Sequence, residues 1–138
     1  MQRRTFIIGT AALSAIPALA SAEAGWSPPL IIRFAPGSAE IDRHAVGQLE
    51  GFKAAFEARA NPRNGDSIRV TGHMDEAERR QNLRDLPQQR ADAVVEALAD
   101  LGMQRGRARA RRSLDRLVDV AGPSADNRVV LLSWRVAS

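Results

Sequence analysis

The sequence predicts an α+β domain whose elements run β-α-β-α-β-β, and three observations carry that prediction. Two segments, 42–60 and 87–101, repeat apolar residues at the spacing of a helix face. Short runs rich in branched apolar residues, or alternating small and charged ones, stand before, between and after them. The last run, 127–134, is apolar enough to lie in the middle of a sheet.

The chain has 138 residues, so a single domain is expected. Residues 1–22 read as an export leader. Arg3 and Arg4 form a basic head, 6–20 is mainly apolar and small, and Ala20-Ser21-Ala22 offers a cleavage site after Ala22. Gly9 and Pro17 break the apolar core, which is too short for a spanning helix. Arg3-Arg4-Thr5-Phe6-Ile7 fits a twin-arginine signal, although an ordinary secretory leader can also begin with two arginines. Without cysteine, an exported product gains no disulfide and has no residue for a lipid anchor. No alternating ten-residue segments suggest a membrane barrel. A soluble periplasmic product is therefore expected. Losing Arg3 and Arg4 removes two positive charges from a formal net charge of +4, so the basic pI overstates any case for nucleic acid.

Residues 23–29 are expected to be an exposed lead-in, and 30–138 the folded domain. Residues 30–34 form the first strand, stopped by Pro36-Gly37. Asp42 is placed to cap a helix running to about residue 60, with Val46, Leu49, Phe52 and Phe56 as its buried stripe. Gly47 and Gly51 in that helix suit close packing or simply weaken it, since Glu50, Lys53 and Glu57 exclude a membrane span. Asn61-Pro62 stops it, and Asn64-Gly65-Asp66 makes a turn. The second strand is 67–72. The polar run 76–85 reads as a solvated loop or loose helical turn. Asp85, with Gln88 three residues on and Pro87 in the first turn, is set to cap the second helix. Ala91, Val94, Val95, Leu98 and Leu101 form its buried face, and Gly102 ends it. Residues 105–112 alternate arginine with small residues, as a strand with one charged face does. Residues 114–118 suit a short turn or helix, and 122–124 a loop.

The chemistry concentrates where the second strand meets the second helix. Asp75 lies just past the strand, and Arg90 in the first turns of the helix, off its apolar stripe. Brought to one crevice, a carboxylate and a guanidinium suit a ligand carrying both an ammonium and a carboxylate. The same spacing also fits an ion pair between the two residues. An arginine at a helix amino end gains nothing from the helix dipole, which favours a ligand or a partner carboxylate as its reason for being there.

The residues Gly72-His73-Met74-Asp75, then Leu86 and Arg90-Ala91 before an apolar helix, resemble the C-terminal domain of outer-membrane protein A and the peptidoglycan-associated lipoproteins. The resemblance runs from about Leu30 to Trp134 and includes Asn127-Arg128-Val129 at the closing strand. It implies a four-stranded mixed sheet with two main helices on one face. It also implies non-covalent binding of peptidoglycan, with Asp75 and Arg90 holding the two ends of a diaminopimelate residue and helping to organise the cell envelope near the outer membrane. The loop of 35–39 would form one rim, so Ala35, Ser38, His73, Met74, Asn82 and Leu83 are candidate rim residues. The sequence departs from that family at Met74, where a threonine is usual, at Glu78, where a glycine is usual, and at Asn82 and Leu83, where a Tyr-Asn pair is usual. These departures leave a second expectation open: an envelope protein–protein interaction module that has lost the wall ligand.

Arg107, Arg109, Arg111 and Arg112 suit either a solvated sheet edge or contact with an anionic surface. Aromatic residues for base stacking are missing beside them, so nucleic acid is not expected as a partner. His44 and His73 are the only histidines, and with no cysteine they cannot build a His/Cys zinc site. His73 and Asp75 have no nucleophile elbow to serve, and no phosphate-cradling glycine loop is present. The expected protein is non-catalytic and without cofactor.

Overall fold

A computed structural model of the chain describes residues 24–59 and 67–136. The leader and the 64–66 turn lie outside the described residues. The order is β1 (Leu30–Arg33), α1 (Arg43–Arg59), β2 (Ile68–Gly72), a short α2 (Glu76–Arg80), α3 (Leu86–Asp100), a 3-10 turn (Arg105–Arg107), β3 (Ala108–Arg112) and β4 (Val129–Trp134). The strands form one mixed sheet in the order β1-β4-β2-β3. β4 runs antiparallel to both β1 and β2, while β3 runs parallel to β2. This is the expected α+β architecture, with apolar β4 inside the sheet.

Alternation along the strands sets the two faces. Ile32, Ile68, Val70, Val130 and Leu132 point into a core closed by Leu49, Phe52 and Phe56 of α1 and Ala91, Val94 and Leu98 of α3. Each such large side chain, fully buried, contributes roughly 1.5–3 kcal/mol. Phe52 and Phe56 meet Trp134 edge-on at 5.3 and 6.2 Å, tying α1 to the end of β4. Asp42 caps α1 as expected, its Oδ1 accepting from the Ala45 amide at 2.8 Å. The buried stripe begins at Ala45 rather than Val46, which is half-buried. Gly47 and Gly51 face open space, so they mark no close packing. Among the described residues, no helix is long and apolar enough to cross a membrane.

The stretch before β1 is exposed at Ala24, Gly25 and Pro28 but tied down between them. Trp26 bridges to Arg135, and buried Ser27 bonds Trp134 through both its amide and its hydroxyl. At the other end of the sheet, Gly72 decides how closely α3 approaches β2. A Cβ there would lie 1.9 Å from the Pro87 carbonyl oxygen, so only glycine lets the first turn of α3 rest on the strand end. That contact brings Arg90 beneath the loop that follows β1.

Candidate functional site

Asp75 ends the extended segment after β2 and becomes the N-cap of α2. Its Oδ1 accepts from the Glu78 amide at 2.8 Å, and the Glu78 Oε1 accepts from the Asp75 amide at 3.1 Å. This reciprocal capping box explains why the polar run folds into a helix. The expected loop or helical turn is thus found in both parts, a short helix over 76–80 and a mostly exposed turn over 81–85, and the correction to a solvated run is that Glu78 is buried. Asp85 makes no capping bond, so the box assigned to Asp85 and Gln88 is not there; Gln88 bonds Asp92 instead. Pro87 does occupy the first turn of α3. Gly102, at φ +103°, follows the last turn as expected.

Arg90 is the largest fully buried side chain among the described residues, at 0% exposure. Its expected place off the buried stripe is thus overturned: the helix turns it inward, under the β1–α1 loop. Burial of an arginine demands that its donors be satisfied, and here every N–H of the guanidinium has an acceptor. Nε donates to the Ser38 carbonyl at 2.8 Å. Nη1 donates to the His73 carbonyl at 3.0 Å and to Glu78 Oε1 at 2.8 Å. Nη2 donates to the Ala35 carbonyl at 3.2 Å and to Glu78 Oε2 at 2.5 Å. The Glu78 pair is a bidentate fork, the strongest geometry open to these groups. Glu78 Oε2 also accepts from the Gly37 amide at 2.7 Å. The guanidinium lies 5.3 Å from the centre of the Phe34 ring.

Asp75 is treated in the same way. Its Oδ2 accepts from the Ser124 amide at 3.0 Å and from Arg128 Nη1 at 2.9 Å. Burial pushes the Asp75 carboxyl up, but the Glu78 and Ser124 amides and the Arg128 guanidinium outweigh it and hold the group below the usual carboxylate value. Arg128 Nε in turn donates to the Phe34 carbonyl. Buried Asn127 fixes this corner, since its side chain accepts from the Leu117 and Val118 amides and donates to the Val118 carbonyl. The alternative of a direct Asp75–Arg90 ion pair is not what forms. The two residues belong to a quartet, Asp75 with half-buried Arg128 and buried Glu78 with buried Arg90, in which acid and base charges balance.

The rim residues divide. Ala35 and Ser38 contribute carbonyls to Arg90, as does His73. The His73 ring is buried, and that burial lowers its pKa despite the nearby Asp115 carbonyl. Met74 is buried. Asn82 is exposed at φ 66° and Leu83 is half-buried; their amides donate to the Arg79 and Glu78 carbonyls at the end of α2. The hollow lined by Ile31, Arg33, Asp42, His44 and Gln48 includes neither Asp75 nor Arg90, nor does that beside Lys53 and Leu101. Among the four candidate anion-contact arginines, Arg109 and Arg111 project from the edge strand β3 on the face away from the helices, opposite Arg69 and Thr71 of β2. Arg112 alternates to the other face and lies 3.9 Å from Asp85; Arg107 sits half-buried in the 3-10 turn. The four therefore do not share one face.

Glu78, Ser124 and Arg128 were not among the expected site residues. Asp75-x-x-Glu78 is itself a capping-box pattern, and that signal was available in the sequence. Nothing local marks Ser124, and Asn127-Arg128-Val129 pointed to the closing strand without pointing to Asp75, which both residues reach only through the folded loop before β4.

The OmpA family model matches residues 33–113 of this chain. Among solved structures, the chain is similar to the peptidoglycan-associated lipoprotein from Burkholderia pseudomallei, at 21% identity and a TM-score of 0.62, covering 76% of this chain and 89% of that one. It is similar to the cell wall anchor of the T6SS from Pseudomonas aeruginosa, at 23% identity and a TM-score of 0.64, covering 93% of this chain and 96% of that one. It is also similar to the periplasmic domain of Helicobacter pylori MotB, at 15% identity and a TM-score of 0.61, covering 80% and 76%. No curated protein sequence matches.

Proposed function

Because the chain belongs to the OmpA family, we propose that it is a non-catalytic periplasmic domain that attaches non-covalently to peptidoglycan through the diaminopimelate residue of the stem peptide. One observation carries the reading. Buried Asp75 and Arg90 meet in a single cluster, with a carboxylate seated on the arginine and a cation on the aspartate. A zwitterionic amino acid offers the same pair of charges. A peptidoglycan-associated lipoprotein, a cell wall anchor and a periplasmic domain among the structural relatives support placement in the envelope. The leader read over residues 1–22, of twin-arginine type, supports export to the same compartment.

The test is co-sedimentation with two wall preparations. Diaminopimelate has a side-chain carboxylate that lysine lacks, so diaminopimelate-type peptidoglycan should pull the domain down and lysine-type should not. Asp75→Ala and Arg90→Ala should each reduce retention while circular dichroism still reports a folded domain. Equal retention on both walls, unaffected by either substitution, would remove the reading.

A second reading is an envelope interaction module that no longer binds the wall. The saturation of Arg90 favours it, because no N–H is left over for a ligand while the quartet is intact. Its contact surface would then be the outer side of α2 or the Arg109–Arg111 face of β3. No sedimentation with either wall is the outcome that selects it.

A further inference from the structure

We infer that Glu78 is a built-in competitor: its carboxylate occupies the seat on Arg90 that an incoming carboxylate would take, and it sets the affinity of the site. This rests on the wall-binding reading and adds what controls it. The acceptors around Arg90 are of two kinds. Ala35, Ser38 and His73 offer backbone carbonyls fixed by the β1–α1 loop and the end of β2. Glu78 alone offers a side chain, and it takes one N–H from each terminal nitrogen. Those bonds, in their planar fork, are what a free carboxylate makes with a guanidinium. Removing Glu78 leaves the carbonyl cradle in place with the fork open.

The element carrying Glu78 is suited to giving way. α2 is five residues long, and Glu78 is the only buried residue in it. The helix is followed by Asn82 in a left-handed conformation and by residues without regular structure. Its attachment is polar: the capping box with Asp75, the Gly37 amide, the Arg90 fork and the bond from Arg79 to the Leu114 carbonyl. No apolar side chain of α2 is in the core. A tethered carboxylate acts at high effective concentration, so a free ligand sees only the fraction of molecules in which Glu78 has left the seat. The apparent affinity of the native chain is lowered by that fraction.

The experiment titrates a soluble diaminopimelate-containing stem tripeptide into the native domain, Glu78→Ala, Glu78→Gln and the double variant Glu78→Ala/Arg90→Ala. A parallel melting series adds acetate as a bare carboxylate. Expected is a tripeptide affinity at least tenfold higher for Glu78→Ala than for the native domain, a smaller gain for Glu78→Gln, and loss in the double variant. Acetate should raise the melting temperature of Glu78→Ala and leave the native domain unmoved. Equal affinity of native and Glu78→Ala domains, abolished in the double variant, would overturn the competitor role while the wall-binding function stands. Acetate rescue without tripeptide binding by any variant would support Glu78 as occupant of a carboxylate seat and remove the wall ligand. Neither rescue nor binding would remove both.

Discussion

Replacing Glu78 by alanine deletes both oxygens that fork Arg90, together with the acceptor of the Gly37 and Asp75 amides. The guanidinium left behind is fully buried and keeps three carbonyls but no countercharge. Breaking a buried pair from one side costs about 3–5 kcal/mol, because the surviving charge stays desolvated. Domains of this size have only about 5–15 kcal/mol in all. Urea unfolding followed by circular dichroism should therefore show a lower midpoint with an unchanged slope, and melting should fall by roughly 10 °C or more. Arg90→Met added to Glu78→Ala should restore most of the loss, since the orphaned charge goes with it. The stability data would refute the buried-fork account if Glu78→Ala cost under about 1 kcal/mol, or if the second substitution made matters worse by its full individual amount.

Gly72→Ala should destabilise by about 1–3 kcal/mol or more, because the new methyl meets the Pro87 carbonyl and forces α3 off the strand end; unfolding midpoints check the cost. In acid, two groups act in the same direction. His73 has a lowered pKa, so it contributes stability above its unfolded value near 6.5 that is lost as pH falls through the lower folded value. Asp75, also lowered, contributes stability above its unfolded value near 3.8 that is lost further into acid. A pH series of urea midpoints should slope downward below about pH 6.5 and again below about pH 4, and His73→Asn should flatten the first slope only.

Glu78 shows how local and global signals diverge. Read along the chain, 76–85 is a run of charges with little apolar content, and such runs are solvated on average. The capping-box spacing fixed α2 locally, but a cap does not say which way its glutamate reaches. Burial of Glu78 requires a guanidinium at the right depth, and Arg90 arrives there only because Gly72 lets α3 sit directly on β2. The Arg107–Arg112 run is the expected strand with one charged and one small-residue face, but not every arginine in it lies on the charged face. Strand alternation sends Arg109 and Arg111 to one face and Arg112 to the other, so neighbours in sequence do not form one patch.

Hydrophobic periodicity, with Asp42 as cap, Gly102 as stop and the apolar closing run, determined the order of the strands and the two main helices and most of each buried face, because those patterns repeat within single elements; the burial of Arg90 did not follow from it. The positions of Asp75 and Arg90 on either side of a strand–helix junction were determined in the same way. Only tertiary structure decided their partners. A salt bridge depends on distance in space, and here Ser124 and Arg128 from a loop near the chain's end, and carbonyls from the loop after β1, converge on charges more than thirty positions away. The sum of those long-range contacts, rather than any motif, makes the acid and the base a closed quartet.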